Sequence, residues 1–184
     1  MNNNQTITLT RDVDAILIPV GTPISLPRDS EVTITQALGG NYTVNVNGNL
    51  VQIAAQNADA LGFDAPEPLQ PKPGSEDNGE VDEDQVWQQL RTCYDPEIPV
   101  NMVDLGLIYG CSITRLEDGG NRVDIVMTLT APGCGMGDFL AADVKQKVAM
   151  VPNVSDVNVE LTFDPPWDQS MMSETARLET GMYY

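Results

Sequence analysis

Residues 64–81 constrain this chain more than any other stretch. They hold Pro66, Pro68, Pro71 and Pro73, with Asp64, Glu67, Glu76, Asp77 and Glu80 set against a single lysine, Lys72. Such a segment buries too little apolar surface to offset the entropy of ordering it, so it reads as a solvated linker. An acidic interaction tail is the competing reading. The chain is therefore expected to divide into an N-terminal β module at 1–63, this acidic Pro-rich linker at 64–81, and a second domain at 82–184.

The first part alternates at the period of strands. Ile7 and Leu9, Ile16-Leu17-Ile18 and Val32–Ile34 are short apolar runs, separated by Gly21-Thr22-Pro23 and Pro27-Arg28-Asp29 as punctuation. The sharpest signal is Asn47-Gly48 between Tyr42–Val46 and Asn49–Ile53. Both residues of a type I′ turn need positive φ, which Asn and Gly tolerate, so a hairpin is expected there. Gly39-Gly40 permits a second tight bend. Nothing in this module points to catalysis.

The second part mixes periods. Asp82-Glu83-Asp84 suits a helix N-terminus, and Val86, Leu90, Cys93 and Tyr94 follow at helical spacing until Pro96 and Pro99 stop the helix. A strand is expected over 106–114, a turn at Glu117–Gly120, and a second strand in which Val123, Ile125, Met127 and Leu129 share the better-buried face. Pro132-Gly133-Cys134-Gly135-Met136-Gly137 then leads into a helix with Leu140, Val144, Val148 and Val151 on one side. Val157, Val159, Leu161 and Phe163 make a third strand, and a short helix spans Ser170 to about Gly181, capped by Ser170 or Asp168. The expected fold class is α+β: a small β module followed by an α-β-β-α-β-α domain whose mixed sheet is covered by helices on one face.

Composition removes several functions. The 184 residues carry 27 acidic and 9 basic side chains, a formal net charge of −18, with no basic cluster; a nucleic-acid backbone or an anionic membrane surface would be repelled. No apolar run reaches the ~20 residues that cross a bilayer, and Met1–Gln5 has neither the basic start nor the apolar core of a signal peptide, so the expected compartment is the cytoplasm. Histidine is absent, which removes the usual general base near neutral pH and every Ser-His or Cys-His nucleophile. A thiol-dependent enzyme would also need a resolving cysteine nearby in sequence, and there is none. A non-enzymatic role is the expectation.

The chemistry then falls to three cysteines, Cys93, Cys111 and Cys134, an odd number that suits a reducing compartment better than a disulfide framework. Cys134 follows a strand, lies between Gly133 and Gly135 and precedes a helix. Unpaired N–H groups and the dipole at a helix start lower a thiol's pKa, and flanking glycines let a metal, a cluster or a partner come close. A small buried cysteine is the blander reading, and this local architecture favours the functional one. Cys111 sits mid-strand as a core cysteine. Cys93 shares the apolar stripe of the first helix yet stands just before Asp95-Pro96-Glu97, so it reads as core with metal ligation as the alternative. The spacing offers no Cys-x-x-Cys, and one chain cannot supply four thiolates. A bound cluster would be shared between subunits in a homodimer, completed by carboxylates or an external thiol, or held only transiently. Asp95 and Glu97 sit in a turn stiffened by Pro96 and Pro99; they could ligate iron or simply cap backbone groups. Thr128 and Thr130, on the more polar phase of the second strand, could donate hydrogen bonds toward Cys134 or equally be ordinary strand threonines. Trp167, in Asp164-Pro165-Pro166-Trp167-Asp168, is either a partner-binding anchor or a lid on the core.

Two long motifs then carry a resemblance. Leu90–Tyr109, with its Cys-Tyr-Asp-Pro-Glu-Ile-Pro core, and Met127–Gly137, with its Thr-x-Pro-x-Cys loop, resemble a family that includes SufT, PaaD and the eukaryotic cytosolic iron-sulfur targeting factor. Asp164–Trp167, Met172–Leu178 and Ala58–Gly62 resemble its SufT branch. The resemblance implies an auxiliary role in iron-sulfur protein maturation beside Suf-type assembly proteins and client enzymes. It sets the family's characteristic Asp, Glu, Thr and Cys at Asp95, Glu97, Thr130 and Cys134. The expected cargo is a transient iron-sulfur cluster or iron, exchanged through Cys134. The alternative is a metal-free adaptor that docks clients to the machinery.

Overall fold

Hairpins dominate the first half because its turn residues accept positive φ. The computed structural model describes residues 5–18, 20–67, 69, 79–95, 98–131, 135 and 137–181. Asn47 and Gly48 have φ of 51° and 87°, and they join β5 (Asn41–Val46) to β6 (Asn49–Ile53) with Val46 opposite Asn49. Gly39 and Gly40, at 61° and 82°, likewise join β4 (Glu31–Leu38) to β5. With β1 (Gln5–Thr8), β2 (Val13–Leu17) and β3 (Thr22–Leu26) these form one antiparallel sheet in the order β1-β4-β5-β6-β2-β3. Its alternate positions bury Val13, Val32, Ile34, Val44, Val51 and Ile53 in one cluster with Leu9, just past β1, and the 3-10 segment Ala55–Leu61 completes it with Ala60 and Leu61. Each large side chain withdrawn from water in this way contributes about 1.5–3 kcal/mol.

One punctuation signal is corrected. Thr22-Pro23 opens a strand instead of breaking one. β3 is one of the two edge strands of the sheet, so a proline's missing N–H leaves no inner ladder unmade there.

The chain divides into two units, Met1–Glu67 and Pro68–Tyr184. The expected linker falls largely on residues 68 and 70–78, outside those described. Its far end is tied down: Asn121 Nδ2 donates to Gly79 O at 2.7 Å and Asn153 Nδ2 donates to Glu80 O at 2.9 Å.

The second unit is built on a mixed three-stranded sheet, which makes the protein α+β with two separate sheets. α1 (Glu83–Leu90) starts at Asp82, whose carboxylate accepts from Asp84 N at 2.9 Å. β7 (Ile108–Arg115) and β8 (Asn121–Met127) form an antiparallel hairpin; α2 (Gly137–Ala149) then crosses over to β9 (Asp156–Leu161), parallel to β8. Val123, Ile125 and Met127 are buried along with Leu140, Val144, Val148 and Val151 of the α2 region, as their two periodicities require. β9 ends at Leu161, opposite the last residue of β8, so Phe163 lies beyond the ladder and is exposed.

Three further expectations shift. α1 ends at Leu90, well before Pro96, because Thr92 N and Cys93 N bond three residues back, to Gln89 O and Leu90 O, and Thr92 Oγ1 also takes Gln89 O. Cys111 is half-buried rather than core, because β7 is an edge strand. The closing helix is two pieces: a 3-10 turn Gln169–Met171 capped by Asp168, and α3 (Glu174–Thr180) capped by Ser173, separated by Met172 at an extended ψ of 143°. Gly106 makes this packing possible. At φ 75°, a Cβ there would stand 2.3 Å from Met171 O, so no other residue fits.

Candidate functional site

Sequence places two loops at the centre of the site. Cys134 and Glu97 lie outside the described residues; the frame around each is described.

The carboxylate–proline turn is a closed loop. Cys93 O accepts from Met102 N at 2.8 Å, and Tyr94 pairs with Asn101 in an isolated antiparallel bridge. Between these ends Asp95 is buried at 8% exposure, and Ile98 N donates to Asp95 O at 3.1 Å. Asn101 and Asp104 fasten the return arm, Asp104 N donating to Asn101 Oδ1 at 2.9 Å. A carboxylate withdrawn from water in a loop closed by backbone bonds is held in place without belonging to a helix or a strand.

The cysteine loop is framed by β8 on one side and α2 on the other. Thr128 N donates to Leu107 O at 2.8 Å, which carries the exit of β8 past the sheet hairpin. Thr128 is fully buried, and its Oγ1 has no hydrogen-bond partner among the described residues. A buried hydroxyl left unpaired costs about 1–3 kcal/mol. Thr130, two residues on, is half-buried. At the far side α2 begins on Gly137, where a Cβ would meet Leu129 Cδ1 at 3.0 Å and Leu161 Cδ1 at 3.3 Å. The helix start is thus pressed against the ends of the β8 and β9 segments, and Gly137 is the residue that lets it come so near.

Burial raises both of the described thiols. Cys93 is fully buried; burial, with the nearby Asp143 charge, pushes its thiol up to about 12, against the opposing effect of Lys147. Burial and then the Glu83 charge push Cys111 up to about 11. Both shifts favour the protonated thiol, and a metal ion reaching either sulfur would have to displace that proton. For Cys93 this geometry suits the core reading. Among the described residues no group of three or more Cys, Asp or Glu side chains converges in a way that could hold a metal ion.

Trp167 is half-buried, and its indole Nε1 donates to Leu105 O at 2.8 Å. Tyr109 Oη, donating to Pro165 O at 2.8 Å, adds a second fastening of the same segment. The indole's polar edge is therefore used within the unit, as a lid requires. A pair missed by the sequence reading lies on α2: Asp143 Oδ2 and Lys147 Nζ, 3.3 Å apart and nearly inaccessible. An Asp and a Lys four residues apart in a helical stretch were visible. Attention to the apolar side of that helix hid them.

Residues 83–161, all within the second unit, match the family described as "Iron-sulfur cluster assembly protein". Over 99 residues the chain is 50% identical to an Fe-S protein maturation auxiliary factor of Porphyromonas gingivalis, a match that covers 54% of this chain and 90% of that protein. It is 38% identical over 88 residues to the Fe-S protein maturation auxiliary factor SufT of Staphylococcus aureus, covering 48% of this chain and 96% of that one. A further 88-residue match, at 31% identity, is to an iron-sulfur cluster carrier protein of Synechocystis; it covers 48% of this chain and 24% of that longer protein.

Proposed function

The chain belongs to the iron-sulfur cluster assembly protein family, and from that premise we propose that it is an auxiliary maturation factor that carries clusters, or helps pass them, to client proteins through Cys134. The observation that carries the reading is the state of the other two thiols. Cys93 is fully buried with its thiol directed at Gln89 O, and Cys111 is half-buried within β7, whereas the sequence sets Cys134 between two glycines, where a cluster can come close.

The mechanism is ligand exchange. The Cys134 thiolate donates an electron pair to an iron of a cluster held by an assembly scaffold as a scaffold ligand leaves. The cluster departs when stronger client thiolates displace Cys134 in turn. Asp95 and Glu97 supply carboxylates suited to iron, and the Thr130 hydroxyl can donate a hydrogen bond to the sulfur, lowering its basicity. Four thiolates cannot come from one chain, so the remaining ligands belong to the donor, the client, an external thiol or a second subunit. The partners are Suf-type assembly proteins and iron-sulfur client enzymes, met in the cytoplasm, and the chain acts as a carrier rather than a catalyst. No helix among the described residues is long and apolar enough to cross a membrane.

Anaerobic reconstitution with ferrous iron and sulfide tests this. The wild-type chain is expected to show charge-transfer absorption in the visible and to activate an apo-client, and Cys134→Ser to lose both while keeping its circular dichroism. Client activation that survives in Cys134→Ser without any chromophore would replace the carrier with a metal-free adaptor.

A further inference from the structure

α2 carries charge inside the core. The side chains of Asp143 and Lys147 are 8% and 6% exposed and pair at 3.3 Å across one helical turn. Such a pair adds little net stability, because removing both charges from water offsets their attraction. Its presence calls for an account other than holding the unit together.

That account lies in what the two side chains grip. Lys147 Nζ also donates to the backbone carbonyl of Thr92. The Cys93 thiol is 3.5 Å from Gln89 O and within hydrogen-bonding reach of the Asp143 carboxylate. Both members of the pair are thus fastened to Thr92 and Cys93, the two residues at which the end of α1 becomes the closed turn bearing Asp95. The base of that turn is the Cys93 O to Met102 N bond and the Tyr94–Asn101 bridge. The other end of α2 is Gly137, wedged between Leu129 and Leu161 where the chain leaves the Cys134 loop. One 13-residue helix therefore grips the carboxylate turn by its middle and issues from the cysteine loop at its start.

We propose that Asp143 and Lys147 are positioning residues that fix the Asp95 turn against α2, so that the carboxylate keeps a set place relative to the loop entering that helix. The functional half of this inference rests on the reading that Cys134 and Asp95 act on one cargo. The mechanical half does not.

The test replaces the pair by apolar side chains in the full chain, D143L/K147M, a change that buried ion pairs tolerate without loss of the fold. Three quantities are read: amide hydrogen exchange at Tyr94, Asn101 and Met102 against that at Val86 and Leu90; cluster loading; and the rate of transfer to an apo-client. Exchange at Met102 is expected to rise about tenfold, loading to hold, and transfer to slow by about tenfold as the groups lose alignment, while Lys147→Arg keeps all three near wild type. Unchanged exchange at Met102 overturns the proposal whatever the cluster does, and so does wild-type transfer from a loaded double variant. A wild-type chain that never loads through Cys134 sinks the carrier reading instead, and the exchange measurement still decides the clamp. Should D143L/K147M fail to fold, native-state exchange of the wild type decides: Met102, Val144 and Val148 must open as one unit, and separate openings refute the clamp.

Discussion

The two units of this chain solve the burial problem in opposite ways. The first hides side chains that are almost all apolar, with Asn41 and Thr43 as its buried polar residues among those described. The second hides Gln85, Asp95, Asn121, Thr128, Asp143 and Lys147 besides its hydrocarbon core. Each buried polar or charged group must recover the free energy of leaving water through a specific partner, and a charge recovers it only with good geometry. Such groups gather in the unit that matches the iron-sulfur cluster assembly family; Asp95 lies in the carboxylate turn, Thr128 beside the cysteine loop, and Asp143 and Lys147 at the base of the turn.

The contrast is sharpest between two ion pairs. Lys147→Met would leave Asp143 buried without its cation, and the second unit is expected to lose about 3–5 kcal/mol. Urea unfolding followed by tryptophan fluorescence reads this directly, because Trp87 and Trp167 both lie in that unit. A loss near zero would mean that the second unit tolerates buried charge as easily as the surface does.

A smaller effect appears at high pH. The Cys93 thiol ionises at about 9 in the unfolded chain and at about 12 in the folded one, so the folded state holds the proton longer. Its contribution is fully present below pH 9 and is lost as pH rises toward 12. Unfolding free energy should therefore fall by about 1.4 kcal/mol per pH unit between the two values. Cys93→Ala should flatten that slope in denaturant titrations, leaving the weaker share of Cys111. The first unit, which has no cysteine, supplies the internal control.

The smallest effect belongs to the first unit. Arg11 meets Asp59 in a two-bonded pair, Nε to Oδ2 and Nη2 to Oδ1, both at 2.7 Å, with side chains 43% and 50% exposed. The hydrogen bond and the opposite charge hold Asp59 below its ordinary value and raise Arg11. Solvent screens such a pair, so Arg11→Ala should leave the unfolding midpoint of this unit where it was. A clear drop there would erase the distinction drawn between the units.

Much of this was legible in the residues because local rules agreed with the global fold. Asn47-Gly48 dictated its hairpin through φ alone, and the alternation at Val123–Met127 and the helical spacing at Leu140–Val151 identified the faces that are buried. Features that depend on neighbours distant in sequence were not legible. Pro23 looks like a breaker until the strand bearing it is known to be outermost. Cys111 has the phase of a core residue, and only the strand order exposes it to the edge. The end of α1 is set by Thr92 and by a lysine 55 residues away, neither of which a local pattern registers. Near the site, the alternation that runs on through Leu129 suggests a strand reaching Thr128 and Thr130, whereas β8 ends at Met127 and both threonines lie beyond it. The buried Asp143–Lys147 pair escaped because a charged couple at helical spacing ordinarily faces solvent.

Pro23 carries one more consequence. An outer strand with a full row of donors and acceptors invites a stray chain to zip onto it, the first step toward fibrils. At Pro23 one donor is missing from that border and a ring occupies its place. A foreign strand would find its ladder interrupted near the start of β3, so that border of the sheet is guarded by its own sequence.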